Sequence, residues 1–545
     1  MHPHSARQVL PSSRFDWHDL AALVLLLGLL ALALLTFGDY GISNDEPVQQ
    51  RYGELIIAYY ASGFSDRSLF KFYNLYLYGG LFDVLATLIA KLLPLDVYGI
   101  RHLLCALAGI GGIAAAWATA RLIAGPRAGL IAAALLAVTG VWYGAMFNHT
   151  KDITFAAAMM GATYWLLRAM RDLPRPRLRD VLPFGAMLGA ALGLRAVGLL
   201  LGVYLGAAIL FKLYDSGLPD NRARLAFIGR SVFAFAPGLI LGYLIMIATW
   251  PWAALDVFNP VRAIFAFAEF HYDIRDLVAG KIYRMDEMPR WYLPLYLAIK
   301  LPLVLWAGVA LALVAAIPRL ARQATTVRMR YELALVALTI ALPVAAQVIG
   351  RGPAFSGMRH FTFVVPPLAV LAGIGCDALI AALARWRAPA AVAAGLAVGA
   401  GLLWNAVTLV RLHPYEYLFY NQLVGGLPGA TGRYATDYWT NSMPEAVRAL
   451  EALLTRAERS AGKPRGYYKV SICSEPPQFE HVAGDRLSWT DIWEEAHFFI
   501  SSTHMGCDNL LAGDVVATVE RLGVVIAVVK DRRAILDRDA PEAGP

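Results

Sequence analysis

The chain of 545 residues is 58% hydrophobic and only 16% charged, against about 25% charged in an ordinary soluble protein, which excludes a soluble enzyme. Its net charge of +8 is not a nucleic-acid footprint, because the arginines sit in short loops between apolar runs, where they orient a membrane protein. Four cysteines, none in a C-x-x-C pair, exclude a disulfide-dense scaffold and a zinc site at standard spacing.

The first apolar run, Leu20 to Phe37, follows a short segment carrying Arg7 and Arg14. It is too long for a typical signal-peptide core and no small-x-small cleavage site follows, so an uncleaved first helix with a cytoplasmic N-terminus is predicted. The stretch Leu75 to Leu93 carries Asp83 and Lys91 and decides the side of everything downstream. Read as an amphipathic helix on the outer surface, it leaves spans at 98–121, 128–146, 153–168, 181–194, 197–211, 231–249, 292–316, 331–350, 361–383 and 388–410, eleven helices with the first. The loops Arg121 to Arg127, Arg168 to Asp180, Lys212 to Arg230, Arg319 to Arg330 and Arg385 to Arg387 then all lie in the cytoplasm, and all are basic. Were Leu75 to Leu93 to span, every one would move outside, against the positive-inside tendency.

The expected fold class is an α-helical polytopic membrane protein, residues 1–410, with a small C-terminal α/β extracytoplasmic domain, residues 411–545. Outer loops fall at 39–101, 147–152 and 249–291, and His102, His149, His271, His360, His413, His481, His497 and His504 all lie at or beyond that surface. The tail predicts a helix over Pro444 to Arg459, strands near Tyr468 to Cys473 and His497 to Ser501, and a hairpin from Val515 to Glu520 and Val524 to Lys530. Cys105 and Cys376 fall in apolar spans as packing residues, whereas Cys473 and Cys507 lie in the tail and can pair if it faces an oxidising compartment.

The scarce polar residues near the outer surface are the candidates for chemistry. Asp45 and Glu46 open a segment after the first helix, where Asn44 or Asp45 would equally serve as a helix cap. Lys151 and Asp152 open a second helix on the same face. Arg195 interrupts the apolar run Gly185 to Phe211, and Lys300 lies about two turns into a helix starting near Tyr292. Intramembrane charge is expensive and faces a cavity or a partner, unless the side chain snorkels. Arg359 and His360 sit at the outer end of a later helix, a place that also suits interface anchors. Acids at the surface with cations just below match the needs of sugar transfer from a lipid phosphate. Cations neutralise the phosphate while one carboxylate takes the proton of an attacking hydroxyl. Phosphate is a weakly basic leaving group, so the paired carboxylates of glycoside hydrolysis are not required. Asp45, Glu46 and Asp152 could also converge on a divalent cation, which carboxylates alone do not establish.

The motifs resemble those of the GT-C glycosyltransferases that use polyprenyl-phosphate sugars, especially the family 39 group containing protein O-mannosyltransferases and the lipid A aminoarabinose transferase. They are Asn44-Asp45-Glu46, Thr150-Lys151-Asp152, Trp291-Tyr292-Leu293-Pro294 continuing to Lys300-Leu301-Pro302, and Gly357-Met358-Arg359-His360-Phe361 followed by Pro366-Pro367-Leu368, over about residues 15–440. The resemblance implies Asp45 as catalytic base, Glu46 as its partner and Asp152 as the second acidic position. Lys300 matches the lysine of the K-x-P helix, and Arg195 and Arg359 join it as donor-phosphate candidates by charge and depth. The aromatic stretch His413 to Trp439 suits sugar binding, with Tyr415 and Asp437 inside it and Lys151 and His360 nearby as acceptor-binding candidates.

The implied partners are a polyprenyl-phosphate sugar donor, membrane lipids and a glycan, glycolipid or protein acceptor, at the outer face of a bacterial inner membrane. Two departures stand out. Asn74 to Gly80 replaces the usual Pro-Pro-Leu segment, and no sugar-binding trefoil insertion is present, which favours a glycan or glycolipid acceptor. Two readings from other classes compete: a transporter or lipid flippase using Arg195 and Lys300, opposed by the absence of matching halves, and a polytopic scaffold in which the acidic pair is dispensable.

Overall fold

The computed structural model describes residues 16–269, 273–316, 327–350, 352, 354–462 and 464–539. Arg7, Arg14, His271 and most of the predicted Arg319 to Arg330 loop lie outside the described residues. Among the described residues, seven helical stretches are long and apolar enough to cross a membrane: Trp17–Asp39, Val97–Ala124, Ala196–Asp215, Asn221–Thr249, Val327–Gly350, Arg359–Trp386 and Ala388–Leu412. Two helix pairs pass the same test only when joined, Pro126–Ala137 with Gly140–Asn148 bent by 69° and Tyr292–Lys300 with Leu303–Ala316 bent by 111°. The other two predicted spans form the helices Thr150–Arg171 and Leu178–Leu192. The first carries Lys151, Asp152, Arg168 and Arg171, and the second has only 15 residues.

Leu75 to Leu93 does not form a span. It contains a single turn, Leu75–Leu77, and the ten-residue helix Leu81–Ala90. At 1.5 Å per residue that helix is about 15 Å long, half of a hydrocarbon core of about 30 Å.

The apolar stretches fill the helix interfaces, and glycine sets how closely the backbones approach. Leu178–Leu192 crosses Asn221–Thr249 where Gly185 meets Gly238 and Gly189 meets Gly242, so close that a Cβ on Gly185 would collide with the Gly238 carbonyl. Two facing small-x-x-x-small pairs are how membrane helices gain packing energy without a hydrophobic driving force between them.

The C-terminal part is a five-stranded sheet in the order β4-β3-β5-β7-β6, from β3 (Tyr468–Ile472), β4 (Leu487–Trp489), β5 (Phe498–Ser502), β6 (Asp514–Arg521) and β7 (Val524–Asp531). β3 lies parallel to β4 and β5, while β7 runs antiparallel to β5 and β6. The helix Met443–Ala461 buries Met443, Ala446, Val447, Leu450 and Leu454, a stripe at helical spacing, so the predicted helix, strands and hairpin all form within a few residues of their expected ends. A small antiparallel pair, β1 (Arg275–Val278) and β2 (Lys281–Arg284), lies in the outer loop, joined through Ala279 and Gly280, both at positive φ. Cys473 and Cys507 form a disulfide between the end of β3 and the turn after β5.

Candidate active site

The helix Asp45–Ala61 starts the site. Asn44 makes no capping hydrogen bond; the first turn is closed instead by Glu46, which accepts from the Ser43 amide at 2.8 Å and the Ser43 hydroxyl at 3.1 Å. Glu46 is fully buried, 3.3 Å from His102 and 3.8 Å from Arg101. Arg101 continues inward, donating to Asp83 at 2.9 Å and to Gln49 and Gln50. Successive residues of a helix point about 100° apart, so with Glu46 turned inward its neighbour Asp45 turns the other way. The Asp45 side chain is 41% exposed and accepts from the Arg359 guanidinium at 2.6 Å.

Arg359 opens the turn Arg359–Val364 and lies 4.8 Å from the centre of the Trp439 ring and 5.3 Å from that of Phe355. The second acid, Asp152, in the first turn of Thr150–Arg171, is ion-paired with Arg195. Arg195 sits in extended backbone after Leu178–Leu192, where the helix has ended and a charged side chain can reach sideways. Lys151 lies 3.5 Å from Asp83 and 4.9 Å from the centre of the Tyr78 ring. Burial pushes the Asp45 carboxyl up, but Arg359 outweighs it, with Lys151 and Arg195 adding to the pull, so Asp45 is held below the usual carboxylate range.

Asp45, Asp152, Arg195, Arg359 and Lys151 therefore come together. Other candidates go elsewhere. Lys300 donates to the Tyr417 carbonyl at 3.0 Å and lies 3.6 Å from the centre of the Tyr420 ring. It bonds to neither site acid. Tyr415 donates to Glu445 at 2.9 Å under the Arg521 guanidinium, joining the segment just after the last span to the helix Met443–Ala461. Asp437 is buried and spends both oxygens on Tyr417, Asn441 and Ser442. His360 is partly exposed, its ring centre 4.7 Å from that of Phe355.

Asp83, Arg101, His102 and Trp439 were not singled out by sequence as site residues. For Asp83 and Arg101 the available signal was a charge within or beside an apolar segment. Among the described residues, no group of three or more His, Cys, Asp or Glu is placed to hold a metal ion. Asp45, Glu46 and Asp152 turn to different cations instead of converging on one.

Residues 81–252, about a third of the chain, match the family described as dolichyl-phosphate-mannose-protein mannosyltransferase. No curated protein matches the sequence. Among solved structures, ArnT from Cupriavidus metallidurans bound to undecaprenyl phosphate is 17% identical, with a TM-score of 0.48, over 96% of this chain and 99% of that one. The oligosaccharyltransferase AglB from Archaeoglobus fulgidus, in complex with an inhibitory peptide and a dolichol-phosphate, is 13% identical over 89% and 70% of the two chains, with a TM-score of 0.46. The arabinofuranosyltransferase AftD from Mycobacteria is 13% identical over 96% and 40%, with a TM-score of 0.38. Overlaps this loose carry no functional argument. The family match over residues 81–252 bears out, for that part of the chain, the resemblance to the GT-C glycosyltransferases read from its motifs.

Proposed function

We propose that the protein is an inverting glycosyltransferase that moves a sugar from a polyprenyl-phosphate donor to an acceptor hydroxyl at the outer face of the membrane, with Asp45 as general base. The observation that carries this reading is that each acid of the site holds its own cation, Asp45 with Arg359 and Asp152 with Arg195. A donor phosphate competes for those arginines. When it takes Arg359, Asp45 loses the charge that holds its carboxyl low and becomes a stronger base as the donor arrives.

The acceptor oxygen attacks the anomeric carbon, the carbon–oxygen bond to phosphate breaks, and the acceptor proton passes to Asp45. A single displacement inverts the anomeric centre. The phosphate leaves as a monoester, its charge rising from one towards about two negative units, so Arg195, Arg359 and Lys151 stabilise the transition state more than the ground state. Asp152 orients Arg195, and Glu46, held by Ser43, Arg101 and His102, fixes the start of the Asp45 helix. Lys300 in this scheme holds the Tyr417 segment beside the site. The description of the matched family supports a polyprenyl-phosphate sugar as donor.

The outward orientation rests on the basic short loops. It puts the site and a domain of residues 411–545 outside a plasma, or inner, membrane, with residues 1–410 as the catalytic membrane unit. The missing trefoil insertion favours a glycan or glycolipid acceptor over a protein.

The test is Asp45→Asn in purified, folded protein supplied with an undecaprenyl-phosphate-linked sugar. General-base loss lowers transfer by about a hundredfold to ten-thousandfold. Full transfer by a correctly folded variant refutes the assignment.

A further inference from the structure

Gln478 lies on the five-residue helix Pro476–Glu480 of the C-terminal domain, and only 2% of it is exposed. Its amide nitrogen donates to the Ile42 carbonyl at 2.5 Å and to the Trp439 carbonyl at 2.6 Å. Its amide oxygen accepts from the Ser474 hydroxyl and from the Glu475 amide at 3.3 Å. Two hydrogens meet two carbonyls and one oxygen meets two donors, so the amide has a single orientation and no unused capacity. No other common side chain offers two donors and a doubly accepting oxygen at this reach.

The two carbonyls belong to the two halves of the site. Ile42 is three residues before Asp45, and Trp439 covers Arg359, the partner of Asp45. The same two segments also touch directly, since a Cβ on Gly41 would lie 2.5 Å from the Asn441 carbonyl oxygen. On the other side Gln478 is tied to the sheet. Cys473, at the end of β3, bonds its amide to the Ile500 carbonyl at 3.1 Å and is linked to Cys507 by the disulfide.

We infer that Gln478 is a positioning residue: through its one amide the sheet-bearing part of the C-terminal domain sets the Asp45 loop against the segment carrying Trp439, which covers Arg359. The domain is then part of the active site, not an appendage to it. The catalytic consequence rests on the transferase reading above, whereas the clamp itself rests on the hydrogen bonds alone.

The test uses the full chain in nanodiscs, with Gln478→Ala, Gln478→Glu and a control, Glu458→Gln. The control weakens the partly buried Arg486–Glu458 pair of the same domain without touching either site segment. Hydrogen exchange followed by mass spectrometry is expected to show both Gln478 variants exchanging several-fold to about tenfold faster at 41–46 and 437–442, the factor that accompanies loss of about one net hydrogen bond. Glu458→Gln speeds exchange only around residues 455–486. Wild-type exchange at 41–46 in both Gln478 variants, or an equal rise there in the control, overturns the clamp.

With an undecaprenyl-phosphate-linked sugar as probe, Gln478→Ala is expected to lower kcat about tenfold or more with KM little changed. Gln478→Glu, which sets a carboxylate against two carbonyl oxygens, lowers it further, and Glu458→Gln keeps wild-type kcat. Loss of kcat in the control equal to that in Gln478→Ala overturns the positioning role. A wild type that transfers no sugar refutes the transferase reading and leaves the exchange comparison to decide the clamp.

Discussion

Asp437 separates a binding role from a structural one. One of its oxygens accepts from the Tyr417 hydroxyl and from the Asn441 amide at 2.9 Å, the other from the Ser442 amide at 3.2 Å and the Ser442 hydroxyl at 2.5 Å. Burial pushes its carboxyl up, and the hydrogen bonds from Ser442 and Tyr417 pull it back. Asp437→Ala leaves four enclosed donors without an acceptor. At about 1 kcal/mol net per hydrogen bond, with some relief as water enters the loosened turn, the cost is about 3 kcal/mol. At roughly 2 °C per kcal/mol for a large domain, the melting temperature in detergent drops by about 6 °C. Asp437→Asn, which keeps an acceptor oxygen, loses about half as much. The assay is thermal unfolding of purified variants, paired with transfer kinetics across acceptor concentration. An Asp437→Ala protein that melts with the wild type, and differs only in a higher KM for acceptor, refutes this account and restores the acceptor-binding role suggested by sequence.

Three other predictions follow from the geometry. Arg359→Gln removes the charge that holds Asp45 low, so the acidic limb of the pH profile of kcat/KM moves to higher pH while the maximal rate falls; an unmoved limb contradicts the pairing. Cys473→Ser opens a loop whose ends are separated by 34 residues, worth about 4 kcal/mol in chain entropy, and reductant brings the wild type's melting temperature down to that of the variant. His504 accepts from the Thr436 amide at 3.3 Å, and burial pulls it down to about 4 from an ordinary 6.5. Its neutral form is the folded one, so its contribution is complete above pH 6.5 and falls away as the pH drops through about 4. The loss is about 3 kcal/mol at about 1.4 kcal/mol per unit; His504→Gln flattens that slope in a melting-temperature series, and an unchanged slope rules the residue out.

Apolar run length was enough to place most of the helices, because a bilayer imposes length and apolarity on each span separately, though Thr150–Arg171 and Leu178–Leu192 fall short of that test. Leu75 to Leu93 was readable for a different reason: Asp83 and Lys91 left it ambiguous, the basic loops downstream decided against a span, and its ten-residue helix is too short to make one. The hairpin Arg275–Val278 with Lys281–Arg284 was not readable. Its turn, Ala279-Gly280, carries no Asn-Gly or Asp-Gly signal, and Ala279 adopts positive φ without advertising it. In the site, residue type and depth picked out Asp45, Asp152, Arg195 and Arg359, but pairing could not be read. Arg359 and Asp45 are 314 positions apart, and nothing local to either names the other. Asp45 and Glu46 look alike as neighbours in a string, and only the rotation of the helix sends one to the open side and the other to Arg101. Tyr415 and Asp437 have sugar-binding chemistry by type, yet tertiary contacts engage both, Tyr415 with Glu445 and Asp437 with Tyr417, Asn441 and Ser442.

The ion pairs of the site also have a meaning as a set. Asp45, Glu46, Asp83 and Asp152 stand against Arg101, Lys151, Arg195 and Arg359, four negative charges against four positive ones. A balanced cluster projects little field beyond its own dimensions, so it does not draw an anionic headgroup from a distance as a cationic funnel would. On the proposed transferase reading, capture of a lipid phosphate is an exchange of partners at contact range. Its rate depends on lateral arrival through the bilayer and on the lifetime of the pairs, and responds weakly to the salt concentration of the surrounding water.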